Sequence, residues 1–168
     1  MTSGLIAVER RRGPWRSTEV SGIQLESEVQ HEMVSTVLAH LSNGRVKDAV
    51  ACFAENFQFN DRGIGLEFSD KERLGEFFQK SRELYPDSSL QTNRILASAA
   101  CVATEWTLRT SVTEPFWGGR SRMVPISVHG ASIVRLENGK IVEWSDYYDG
   151  LVSRRTALAS YFIEWVEA

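Results

Sequence analysis

The sequence predicts an α+β domain in which a curved antiparallel sheet packs on three helices and encloses a pocket. Three observations carry this. Apolar residues recur at helical spacing through residues 25–53, the period drops to two from Phe57 and again from Leu90, and Asn138-Gly139 marks a hairpin between two long alternating segments. Helices followed by a run of strands are the pattern of an α+β layer fold. With 168 residues, a chain of this length holds one domain with a core of useful size.

The first helix is read from Leu25, Val29, Met33, Val37, Leu38 and Leu41, which fall at steps of three and four and form one stripe. Asn43-Gly44 ends it, and a short second helix turns Val46, Ala49, Val50 and Phe53 inward. From Phe57, alternation places Phe57, Phe59 and Asp61 on one strand face, so a carboxylate sits on the apolar side. Arg62 to Gly65 reads as a loop. Ser69-Asp70-Lys71-Glu72 then fits a capping box opening a third helix, with Leu74, Phe77, Phe78 and Leu84 inward and Pro86 stopping it.

The remainder alternates. A strand near Leu90 to Ser98 precedes one with Val102, Thr104, Trp106, Leu108 and Thr110 on one face, and residues 113–121 must turn because they carry Pro115, Gly118 and Gly119. A strand from Arg122 to Leu136 follows, with Val124, Ile126, Val128, Gly130, Ser132 and Val134 sharing a face. Asn138 and Gly139 both tolerate the positive φ of a type I′ turn, and the last strand sets Val142, Trp144, Asp146 and Tyr148 on one side. Leu158, Tyr161, Phe162 and Trp165 recur at helical spacing near the C-terminus. The expected division is a tail over 1–24, the domain over 25–152 and a C-terminal helix over 153–168.

Composition narrows the partners. A net charge of −3 and a pI near 5.7 argue against nucleic acid, whose phosphates demand clustered positive charge. No apolar stretch suits a membrane span or the centre of a signal peptide, so a cytoplasmic protein is expected. Cys52 and Cys101 lack metal or disulfide spacing and read as small core residues, and His31, His40 and His129 are too scattered to ligate a metal. Neither metal nor cofactor is expected.

The order of elements, together with Phe53-Ala54-Glu55-Asn56 and the run from Gly139 through Lys140, Trp144, Asp146, Tyr147 and Tyr148 to Asp149, resembles the nuclear transport factor 2-like superfamily. Within it the chain is most similar to the SnoaL-like, ketosteroid isomerase and limonene epoxide hydrolase branches. The resemblance implies a cone-shaped cystatin-like roll and either a cofactor-independent isomerase, cyclase or epoxide hydrolase-like enzyme acting on a small apolar molecule, or a non-catalytic ligand-binding or association domain. The final-strand aspartate of the epoxide hydrolases falls on Asp146, but their arginine falls on Trp106, their second aspartate on Leu108, and their water-orienting tyrosine and asparagine on Phe59 and Asp61. The general base of the ketosteroid isomerases falls on Asp61, while their oxyanion tyrosine falls near Val37 and their protonated acid near Ser132.

Asp146 and Asp61 are therefore the candidate catalytic residues. A carboxylate on an apolar face must be paired, hydrogen-bonded or protonated, and two in one cavity raise each other's pKa. For Asp61 the alternative is an Asx-turn residue before Gly63, and for Asp146 a structural hydrogen bond to Trp106 or a tyrosine. Trp106, Trp144, Tyr148, Phe59, Leu108 and Val128 would line the cavity around a small apolar ligand. His129 falls on the outer face and Asp149 at the turn after the last strand. An open sheet face that needs cover makes a homodimer the expected assembly.

Overall fold

The computed structural model describes residues 17–98, 100–116 and 120–150. The expected C-terminal helix and most of the expected tail lie outside them. Helix α1 spans Ser17–Ser42 and begins before the apolar stripe that predicts it, since residues 17–24 contain no proline to interrupt the backbone ladder. Val34, Val37 and Leu38 are buried and Met33 and Leu41 partly so, but Val29 is half-exposed. Val29 therefore falls outside the buried stripe that the sequence suggests.

Helix α2 covers Val46–Ala51 and strand β1 Phe53–Asp61. Phe53 is buried as expected, but as the first residue of the strand and opposite Ile141, not as the last turn of the helix. A short strand β2, Leu66–Phe68, follows a tight turn and was not evident from alternation, being only three residues long. Helix α3, Lys71–Leu84, is capped one residue later than the capping box implies. Asp70, not Ser69, accepts the Arg73 N–H at 2.9 Å.

The meander that follows comprises β3 (Ser89–Ala97), β4 (Val102–Phe116), β5 (Arg120–Glu137) and β6 (Lys140–Tyr148). Pairing of β4 with β5 continues to Phe116 opposite Arg120, so strand takes up most of the turn expected over 113–121, and residues 117–119 lie outside the described residues. Pro115 is accommodated opposite Ser121 near the hairpin tip. Asn138 and Gly139 have φ of 51° and 71°, the geometry a type I′ turn demands. Cys101 immediately precedes β4 and is half-buried, while Cys52 caps α2.

The sheet is open, curved and six-stranded, in the order β2-β1-β6-β5-β4-β3. Every pair is antiparallel except β1 with β6, which is parallel because helix α3 and the meander carry the chain back to β1 in its own direction. Register shifts interrupt β1·β6, β3·β4 and β5·β6, and such bulges bend strands and increase their twist. One of them corrects an expectation. Leu136 faces Ile141 and Arg135 faces Glu143, so Val142 is skipped; Ile141 is fully buried and Val142 only half so. Helices α1 and α3 cover the concave face, α1 against β3 and β4, α3 against β1 and β2. Phe59 lies at the centre of that core, within 6.4 Å of the rings of Phe53, Phe68, Phe77 and Phe78.

Candidate active site

Strand register assembles the site row by row. Asp61, Asp146, Ser132 and Thr104 are successive lateral partners across β1, β6, β5 and β4, and Tyr148, Gly130 and Trp106 form the adjacent row across β6, β5 and β4. Phe59 lies beside Trp144 in β1 and β6, and Leu108 beside Val128 in β4 and β5. Neighbours across a sheet are about 5 Å apart, so residues scattered over nearly ninety positions of sequence share one patch. Because β1 and β6 are parallel and in register here, the two aspartates are placed side by side on the inner face.

Glycine shapes the second row. A Cβ at Gly130 would lie 2.4 Å from the Trp106 ring, and its absence lets the rings of Trp106 and Tyr148 meet above it with centroids 5.8 Å apart. A Cβ at Gly63 would come within 2.3 Å of the Tyr148 ring. Tyr148 is thus seated on backbone, and its hydroxyl donates to Asp61 Oδ2 at 3.0 Å.

The two carboxylates differ in their bonding. Asp61 Oδ1 accepts from the N–H groups of Gly63 at 3.0 Å and Ile64 at 3.1 Å, the Asx-turn arrangement, while Oδ2 takes the Tyr148 hydroxyl. Among the described residues Asp146 uses a single oxygen: Ser132 Oγ donates to Oδ1 at 2.5 Å and Trp144 Nε1 donates to the same atom at 2.7 Å. Trp106 Nε1 donates to Ser132 Oγ at 2.9 Å, so the indole reaches Asp146 through the serine and not directly. The backbone closes the corner, with Arg62 N–H donating to the Asp146 carbonyl at 2.9 Å.

These groups open on a cavity of about 210 Å³. Asp146, Asp61, Trp106, Trp144, Tyr148, Phe59, Leu108 and Val128 all line it, and among the described residues no lysine, arginine or histidine does. The helices contribute Val37, Leu38, Phe77 and Phe78 to the opposite wall. Burial pushes the Asp146 carboxyl up to about 7; the Ser132 hydrogen bond opposes this, the neighbouring Asp61 charge adds to it, and the Trp144 bond lowers it again. Burial also raises Asp61, against the bonds from Ile64, Tyr148 and Gly63. The Tyr148 phenol is driven upward by burial and by Asp61, so it stays protonated at any working pH.

Ser132 is the residue that sequence reasoning passed over. It lies on the inward parity of its strand, but there it registered only as a position lacking an acid. His129 is on the outer face and exposed, its Nδ1 3.1 Å from Thr107 Oγ1.

Among solved structures, a protein described as a SnoaL-like polyketide cyclase from Jannaschia sp. superposes with a TM-score of 0.65 at 14% identity, over 77% of this chain and 92% of that one. IdmH of Streptomyces antibioticus, described as a polyketide cyclase, gives 0.61 at 18% identity, over 71% and 91%. A Catenulispora acidiphila protein with a ketosteroid isomerase-like fold, solved in complex with trimethylamine, gives 0.59 at 17% identity, over 70% and 85%. These likenesses establish the fold. A search of curated proteins finds no match. The family model of the SnoaL-like polyketide cyclases matches residues 31–156, most of the chain and all of the strands that build the cavity; the protein belongs to the SnoaL-like polyketide cyclase family.

Proposed function

We propose that the protein is a cofactor-independent enzyme, an isomerase or cyclase, in which Asp146 moves a proton on a small apolar carbonyl compound. The observation that supports this is a carboxyl group in an apolar cavity whose proton is exchangeable near neutrality. A general base works best when its pKa lies near the operating pH. Ionised Asp146 takes a proton from carbon next to a carbonyl, and the electron pair of that C–H bond moves onto the carbonyl oxygen. The enolate is then reprotonated by Asp146 at another carbon, or its carbon attacks a second carbonyl and Asp146 protonates the new alkoxide. Asp61 holds Tyr148 in place by accepting its hydroxyl proton, and the pair closes the cavity beside Asp146. Trp106, Trp144, Phe59, Leu108 and Val128 exclude water and set the shape.

Epoxide opening has less support, since no basic residue among the described ones lines the cavity and Trp106 and Leu108 occupy the positions where the resemblance puts an arginine and an aspartate. A homodimer through the outer sheet face is supported by the exposure of Ile133 and Tyr147 there. Static light scattering that returns a monomer at working concentration removes that assembly.

The chemistry is tested by following hydrogen–deuterium exchange next to the carbonyl of small cyclic ketones and β-keto esters by NMR in D₂O. Asp146→Asn keeps the shape and deletes the base, and should slow enzyme-dependent exchange by roughly 10²- to 10⁴-fold. Exchange at the wild-type rate in the folded variant rules the mechanism out.

A further inference from the structure

The Ser132 hydroxyl carries one proton, and the structure fixes where that proton goes. An indole N–H can only donate, so Trp106 Nε1 occupies Ser132 Oγ as an acceptor. Ser132 is wholly buried, and the other polar atom in reach of its hydroxyl among the described residues is Asp146 Oδ1. Its proton is therefore committed to the carboxylate. Trp144 Nε1 donates to that same oxygen, so Oδ1 receives two N–H or O–H donors and a third proton there would face both. Asp146 Oδ2 has no hydrogen-bond partner among the described residues, yet it is not one of the buried, solvent-excluded unpaired atoms. It opens on the cavity that Asp146 lines.

We propose that Ser132 is a positioning residue: oriented by Trp106, it pins Asp146 Oδ1 and confines the exchangeable proton to Oδ2, the oxygen that meets the ligand. This rests on the reading of Asp146 as a proton carrier and deepens it. One oxygen then both takes and returns the proton, from one side of the bound molecule. The hydrogen bond from Ser132 also favours the ionised form, holding the titration of Asp146 below where burial alone would put it. The other titratable groups in the cavity wall are Asp61 on β1, Tyr148 on β6 and Tyr85 after α3; the described residues of α1, β3, β4 and β5 contribute none.

The indole N–H signals report on this directly, without a substrate. In a ¹H–¹⁵N spectrum of the full chain, assigned with Trp106→Phe and Trp144→Phe, the Trp144 signal should titrate with the carboxyl it bonds, with a midpoint near 7. Ser132→Ala should raise that midpoint by about one pH unit or more, the worth of one hydrogen bond to a charged group. Ser132→Thr, which keeps the hydroxyl, should restore it toward the wild-type value, and Trp106→Phe should raise it by less than Ser132→Ala. An unmoved midpoint in folded Ser132→Ala overturns the proposal. Should that variant fail to fold, equal midpoints in wild type and Trp106→Phe overturn it instead. The catalytic reading stands or falls separately: an unmoved midpoint with Asp146-dependent deuterium exchange removes the role of Ser132 alone, and a moved midpoint without such exchange removes the catalytic reading alone.

Discussion

Asp146 makes a site that is costly to the fold that carries it. Its carboxyl titrates near 7 in the native state and near 3.8 when unfolded, so the native state binds the proton more tightly. The stabilisation this brings is complete below pH 3.8 and is lost as the pH rises through 7, an effect on the order of a few kcal/mol. Asp146→Asn retains an oxygen for Ser132 and Trp144 and never has to bury a charge. It should melt well above the wild type at pH 8, with the advantage shrinking toward pH 5, as thermal denaturation at the two pH values would reveal. A constant difference across that range contradicts the buried, proton-holding state. Burial raises Asp61 in the same direction, but three donors oppose that rise. The short spacing from Asp61 to Gly63 made both its turn role and its inward parity legible, but sequence could not say that the two would coincide. Ser132 escaped notice because a serine on a strand carries no signal of its own; only the lateral register with Asp146 gives it meaning.

At the level of elements, regular periodicity was readable and its interruptions were not. Alternation through Trp144, Asp146 and Tyr148 set the correct face, and the Asn138-Gly139 turn was placed to the residue. The skipped Val142 and the extension of β4 and β5 to Phe116 and Arg120 depend on how strands pair, which a single strand does not encode. Helix ends were nearly right where a side chain caps them. Asp70→Ala removes the acceptor for the Arg73 N–H and should cost about 1 kcal/mol in urea denaturation. Ser69→Ala should cost less. The reverse order would return the cap to Ser69.

Across the whole molecule, chemistry and shape come from different layers. The sheet supplies Asp61, Ser132, Asp146, Tyr148 and both indoles, held to lateral register, whereas the wall from α1 and α3 is apolar apart from Ser81. Mutating the helical wall should therefore change what fits without changing the proton. Leu38→Ala deletes a buried side chain at a cost of roughly 2–5 kcal/mol. In the surviving folded protein it should admit bulkier ketones in the exchange assay while the Trp144 titration midpoint stays put. A midpoint that moves with Leu38 would mean that helix packing, and not the sheet, sets the acid.

The vacancy at position 130 ties two distant places in the chain to one fate. As long as Trp106 keeps its six-membered ring over that backbone, a methyl group there has nowhere to go. In a randomised library screened for folded protein, larger residues at 130 should therefore emerge only alongside a shortened residue at 106, and such survivors would have surrendered the indole that orients Ser132.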